Sequence, residues 1–258
     1  MKNILYFILA AIVCILAACS MDSDFGSELN GEGKSGSITK FTIHNGYMYA
    51  LNPNEVQTYD LQNPDEPELV NTIETDYGLE TIIIYDNTVY VGSRSSLYIL
   101  NISVPYQPEI LAQSNRIELG FFSGCDPVVV KDNYAYSTVK VIDNVCGNFD
   151  TQSLLLVYDV SNKSEPKVVG EFFLDAPNGL AYIGNNLIVC DEGSDELLMF
   201  DISEPTNVQP LINHNISITD PVDLIIHDSK MIVSTKTSFH IYNINSIADI
   251  NQTGIIPK

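Results

Sequence analysis

One phrase recurs five times along this chain, and it limits the folds available more than any other feature. It reads YDLQNPDEPELV from Tyr59, LNISVPYQPEIL from Leu100, YDVSNKSEPKVV from Tyr158 and FDISEPTNVQPL from Phe200. A fifth, altered copy, YNINSIADINQT, starts at Tyr242. The second residue of each copy is Asp60, Asn101, Asp159, Asp201 or Asn243, at intervals of 41, 58, 42 and 42. A period of about forty residues built from strands and turns is the signature of a propeller or array.

Each phrase is preceded by two apolar runs joined by a tight turn: Asn45-Gly46, Asp86-Asn87, Asp132-Asn133, Gly184-Asn185 and Asp228-Ser229. Such pairs tolerate the positive φ that two-residue hairpins need. Each unit therefore reads as a hairpin of strands a and b, a strand c ending in the phrase, a Pro-containing turn, and a strand d. Pro marks the turn because it cannot pair inside a sheet. Strand a is almost continuously apolar, as at Ile82–Ile84 and Val128–Val130, which means burial on both faces. The expectation is an all-β fold: a β-propeller of about five four-stranded blades in a closed ring, spanning 37–258. The fifth phrase lacks the prolines, which points to an irregular last strand or a part in closing the ring.

The phrase resembles the LVIVD repeat of bacterial and archaeal surface or secreted β-propellers. The likeness lies in the strand end, hydrophobic–hydrophobic–aromatic–Asp, followed by an I/V-S-x-P-x-x-P pattern. It covers essentially everything after the leader. It implies the fold and says little about function.

Residues 1–18 hold one charge, Lys2, and an apolar run too short to span a membrane, ending Leu16-Ala17-Ala18-Cys19. This is a signal peptide, and its end resembles a bacterial lipobox with Cys19 as the lipidated residue. Residues 19–36 are polar, acidic and Gly/Ser-rich, the composition of a flexible tether with a reach of roughly 20–25 Å. Ser20, Asp22 and Asp24 resemble the export signal of surface lipoproteins in the Bacteroidetes. The expected address is the outer membrane, surface-exposed, with the lipid as the sole membrane contact.

Twelve basic against 33 acidic residues give a net charge of −21, which repels nucleic-acid phosphates and anionic headgroups. Neutral glycans, cationic groups or proteins remain as partners. Gly33-Lys34-Ser35 ends like a phosphate-binding loop, but Glu28 stands where the first Gly is required. His44 and His227 occupy the same position just before a turn, a structural pattern, and no Ser–His–Asp set presents itself.

The residues six before each turn are Thr39, Glu80, Asp126, Asn178 and Val222, with Asp223 beside the last. Glu80, Asp126, Asn178 and Asp223 would ring the channel mouth, either binding a ligand or bonding local backbone. The 58-residue interval comes from an insertion at 138–153, and such loops carry binding surfaces in repeat proteins. The acidic loop Asp191–Glu196 offers oxygen ligands for calcium without the full spacing of a calcium loop; no other cofactor is expected, and no metal site is assigned. Cys125, Cys146 and Cys190 should share one face. Cys125–Cys146 is the expected disulfide, leaving Cys190 a half-buried free thiol, and Cys146–Cys190 is the rival pairing; zinc held by the three thiolates lacks C-x-x-C spacing. The leading function is a non-enzymatic binding or scaffolding module. The alternative is an enzyme or glycan-processing accessory using the acidic mouth.

Overall fold

In the computed structural model, residues 35–36, 39–94, 96–115, 127–141 and 152–258 are described. They form five antiparallel sheets, each containing the strand order a-b-c-d. Blade 1 contains β2 (Phe41–His44), β3 (Tyr47–Asn52), β4 (Glu55–Asp60) and β5 (Glu68–Glu74). Blade 2 contains β6 (Leu79–Tyr85), β7 (Thr88–Ser93), β8 (Ser96–Asn101) and β9 (Glu109–Asn115). Blade 3 contains β10 (Val128–Lys131), β11 (Tyr134–Val139), β12 (Ser153–Asp159) and β13 (Lys167–Leu174). Blade 4 contains β14 (Pro177–Ile183), β15 (Asn186–Asp191), β16 (Glu196–Asp201) and a broken outer strand, β17 (Gln209–Pro210) and β18 (Ile216–Ser217). Blade 5 contains β19 (Pro221–His227), β20 (Lys230–Thr235), β21 (Ser238–Ser246) and β22 (Asp249–Pro257). No α-helix occurs among the described residues.

Turn chemistry builds these blades. The first residue of every a–b turn is left-handed: Asn45, Asp86, Asp132, Gly184 and Asp228, with φ of 49°, 55°, 55°, 56° and 52°. The phrase then locks onto the turn. The amide after the phrase's recurring Asp or Asn donates to the second turn residue's carbonyl in all five blades: Leu61 to Gly46, Ile102 to Asn87, Val160 to Asn133, Ile202 to Asn185 and Ile244 to Ser229, at 2.8–3.1 Å. In four blades the phrase's Asp or Asn accepts the N–H two residues on, an Asx turn: Gln62 to Asp60, Ser103 to Asn101, Ser161 to Asp159 and Ser203 to Asp201. The hydroxyl and N–H of Ser161 hold Asp159 below the usual carboxylate range, and the N–H and hydroxyl of Ser203 do the same for Asp201. The repeated acid is therefore a turn former. In blade 5 Asn243 accepts from Lys230 instead.

The broken outer strand lies in blade 4; in blade 5, where the sequence pointed to an irregular last strand or a part in closing the ring, the last strand is continuous but its pairing shifts register twice, at Ile241/Tyr242 and Ile244/Ser246. Pro205 and Pro210 cannot donate to β16, and the chain between them and Ile216 forms two short 3₁₀ turns. In blade 5 a tight connection between Ser246 and Asp249 feeds a nine-residue β22, which no proline interrupts before its end.

Four hydrophobic clusters join blades 1–2, 2–3, 3–4 and 4–5. Among the described residues none joins blade 5 to blade 1. Strand a is buried on both faces in β6, β10 and β14, as its composition requires, whereas β2 and β19 expose one face. The described blades therefore form an arc with four packed junctions, where the repeat suggested a ring with five.

A short strand, β1 (Ser35–Gly36), falls inside the segment expected as tether. It pairs antiparallel with β14, Ser35 opposite Ala181 and Gly36 opposite Leu180, and lies against β19, β10 and β6 as well. Innermost strands leave one edge of N–H and C=O groups free, and β1 takes up part of that edge in blade 4. Because β14 runs from the b–c end toward the a–b turn, β1 runs the other way. The chain thus enters among the innermost strands from the turn end and leaves at the b–c end.

Candidate functional site

The b–c end is where the sequence placed a channel-mouth cluster. Position by position, the first polar residue there serves its own blade. The seventh residue after each turn's first residue is Asn52, Ser93, Val139, Asp191 or Thr235. Ser93 Oγ accepts from the Ser96 amide at 3.0 Å, and Thr235 Oγ1 from the Ser238 amide at 3.0 Å. Asp191, fully buried, accepts from Ala176, Gly193 and Ser194 on Oδ1 and from Asp175 on Oδ2, at 2.9–3.1 Å. Its carboxylate folds the acidic loop onto the strand entry of its own blade. Among the described residues no three His, Cys, Asp or Glu side chains come together to hold a metal ion.

The next position reaches across blades. It reads Pro53, Arg94, Lys140, Glu192 and Lys236. Arg94 Nε donates to Glu80 Oε1 at 2.9 Å within blade 2. Lys140 of blade 3 donates to Glu192 of blade 4 at 2.7 Å, and Lys236 of blade 5 donates to Glu192 and, at 2.9 Å, to Asp220. Asn178 sits in the middle: its Oδ1 accepts from Lys140 at 3.2 Å, and its Nδ2 donates to Glu192 at 3.3 Å and to the Pro221 carbonyl at 3.0 Å. Thr138 Oγ1 adds a bond to the Asn178 carbonyl at 2.7 Å. Bonds from Lys140 and then Lys236 pull the Glu192 carboxyl down to about 2, and those to Glu192 and Asp220 push the Lys236 ammonium above its ordinary value.

Of the four expected mouth residues, Glu80 and Asn178 are buried and held as above, with Glu80 Oε2 lacking a partner. Asp223 accepts the Leu224 amide at 2.9 Å and presses against Gly179 of blade 4, where an added Cβ would come 2.1 Å from Asp223 Oδ1. Asp126, Cys125 and Cys146 lie outside the described residues, as do Cys19 and most of the insertion. Cys190 is a free thiol, but fully buried where a half-buried one was expected; burial, then the charges of Asp223 and Asp191, push it well above its usual range. Sequence reasoning missed Arg94, Lys140, Lys236 and Asp220, and it placed Glu192 only in the acidic loop offered to calcium. The signal was available: three of the chain's twelve bases share one repeat position.

The histidines stand apart from this cluster. His44 bonds its neighbour Asn45, His227 lies 3.5 Å from Asp228, and His240 bonds Ser238.

A second concavity opens where the outer strand of blade 4 breaks. It is a cleft of about 450 Å³ between blades 3 and 4, lined by Phe172, Phe173, Leu198, Phe200 and Ile212 among others. Phe173 and Ile212 are each 72% exposed. Asn215 fixes its floor by accepting the Met199 amide at 3.1 Å and donating to Glu196 at 3.0 Å.

Five repeated four-stranded antiparallel sheets packed in series around their innermost strands define a β-propeller protein. Residues 146–173 match the family model described as the LVIVD repeat, so the chain carries a repeat of that kind. Solved structures agree on architecture. A protein from Lactobacillus plantarum is 15% identical over 82% of this chain and 68% of its own, with a TM-score of 0.61. The periplasmic gluconolactonase PpgL from Pseudomonas aeruginosa is 9% identical over 82% and 68%, with a TM-score of 0.59. BamB from Moraxella catarrhalis is 8% identical over 75% and 53%, with a TM-score of 0.55. At such identities the likeness is one of fold alone. No curated protein matches the sequence.

Proposed function

We propose that this protein is a non-enzymatic binding or scaffolding module, anchored through lipidated Cys19 to the outer membrane and exposed at the cell surface. The observation that carries the reading is the state of the b–c end. Lys140, Glu192, Lys236 and Asp220 are engaged with one another across three blades at 2.5–2.9 Å. Groups held in mutual ion pairs fix blade geometry; a general acid or base must be able to reach a substrate proton. An exposed apolar concavity lies instead in the blade 3–4 cleft, whose phenylalanine and isoleucine side chains suit the apolar side chains of a protein segment better than a sugar.

The test is a pull-down with the full chain in detergent, run beside a glycan array. Capture of a protein ligand that Phe173→Asp and Ile212→Asp both abolish supports the reading. Glycan capture through the same cleft keeps the binding class and replaces the ligand. The competing enzymatic reading draws on the lactonase among the similar folds; turnover of a sugar lactone that disappears in Glu80→Gln would overturn the non-enzymatic reading.

A further inference from the structure

Blades 1 and 5 each leave one sheet face uncovered, and these faces differ in kind. Counting from the first turn residue, positions three before and four after point toward the following blade. In blade 2 these are Ile83 and Tyr90, clustered with Val128, Val130 and Ala135 of blade 3. Positions four before, two before and three after point toward the preceding blade, as those three blade 3 residues show. In blade 5 the forward positions are Ile225 and Ile232, 40% and 36% exposed, where Ile83 and Tyr90 are 8% and 0%. In blade 1 the backward positions include Phe41 and Ile43, 58% and 57% exposed, where Val128 and Val130 are 1% and 0%. The residue types match those that are covered elsewhere, and exposed apolar faces of this kind mark interaction surfaces.

We propose that the forward face of blade 5 in one copy packs on the backward face of blade 1 in a second copy of this chain. The occupant follows from the repeat, because this forward-to-backward junction is already made four times within the chain. Local charge agrees. At the b–c end of the blade 5 face, Lys258 lies 4.8 Å above the Phe239 ring and donates to Ser234 at 3.0 Å. At the same end of the blade 1 face, Glu55 pairs across the ladder with Glu74. The junction is heterologous, so two copies joined at both ends satisfy every exposed face, and copies joined at one end propagate.

The test mixes full-length Phe41→Cys with full-length Ile232→Cys in detergent, oxidises, and maps linked peptides without reduction. Using separate chains makes any 41–232 link intermolecular. The expected result is that link, with none between Phe41→Cys and the more exposed control Phe173→Cys. Sedimentation should show self-association, weakened roughly tenfold or more by Ile232→Lys, as expected when one buried aliphatic side chain is lost. The proposal is overturned by a monomer across the accessible concentration range, by equal linking of the control, or by a 41–232 link that forms only within a single doubly substituted chain.

Discussion

Replacing Glu192 with Gln keeps the side chain's shape and removes its charge. In the native protein the carboxylate accepts from Lys140 at 2.7 Å, from Lys236, and from Asn178 at 3.3 Å. The variant leaves the Lys140 ammonium facing the neutral Asn178 Oδ1 at 3.2 Å. A carboxyl held at about 2 rather than 4.5 corresponds to roughly 3 kcal/mol of preference for the charged form. A quarter of the Glu192 side chain and half of Lys236 face solvent, and screening reduces the figure to roughly 1–2 kcal/mol. For a domain of this size that lowers the melting temperature by roughly 2–8 °C. The sign with pH follows from the direction: the folded pKa lies below the unfolded one. The contribution is therefore complete above about pH 4.5 and fades as pH falls toward about 2. Urea midpoints of the full chain should show a constant gap between native protein and Glu192→Gln at neutral pH, narrowing below about pH 4.5. About 1 M salt should narrow it too. Equal midpoints near neutral pH, or a gap that ignores both pH and salt, would refute the reasoning.

Gly179→Ala should loosen the blade 4–5 junction by roughly 1–3 kcal/mol or more, since its Cβ would sit 2.8 Å from the Asp223 Cα; an unchanged thermal midpoint contradicts that contact. Asp191→Ala strips the acceptor from four backbone amides and should cost more than about 3 kcal/mol, whereas a loss below about 1 kcal/mol would mean those amides find other acceptors. Asp159→Ala should cost only about 1 kcal/mol and leave the fold intact by circular dichroism; collapse of the fold would make the phrase's acid more than a turn former. Cys19→Ala should move the protein out of the membrane fraction, and normal retention would contradict lipid anchoring.

The features legible in the sequence are those fixed by local chemistry. Asn45, Asp86, Asp132, Gly184 and Asp228 announce left-handed turns because few residues tolerate them, and the prolines after Asp60, Asn101 and Asp159 mark where pairing stops. The cross-blade features were hidden. Arg94, Lys140, Glu192 and Lys236 share a repeat position but not a sign, so their column looks irregular until blades 3, 4 and 5 are set side by side. The open junction was hidden for the opposite reason: Ile225, Ile232, Phe41 and Ile43 are as apolar as their covered counterparts Ile83, Tyr90, Val128 and Val130, so composition predicts burial. Ser35-Gly36 reads as tether because its pairing with β14 uses backbone groups, which leave no mark in composition. The break in blade 4 was not read from the sequence, because prolines also follow the phrase in blades 1–3, where the outer strand is intact.

The central claim is an arc of five blades in which inner blades are covered on both faces and the end blades on one. Amide hydrogen exchange, read by peptide on the full chain at concentrations where it is monomeric, tests this most directly, since exchange resolves local stability. The account predicts the slowest exchange in β6–β8, β11–β12 and β15, with β2, β20 and β22 opening sooner. Protection in blades 1 and 5 equal to that in blades 2–4 would mean that the first and last blades cover each other, and would contradict the account.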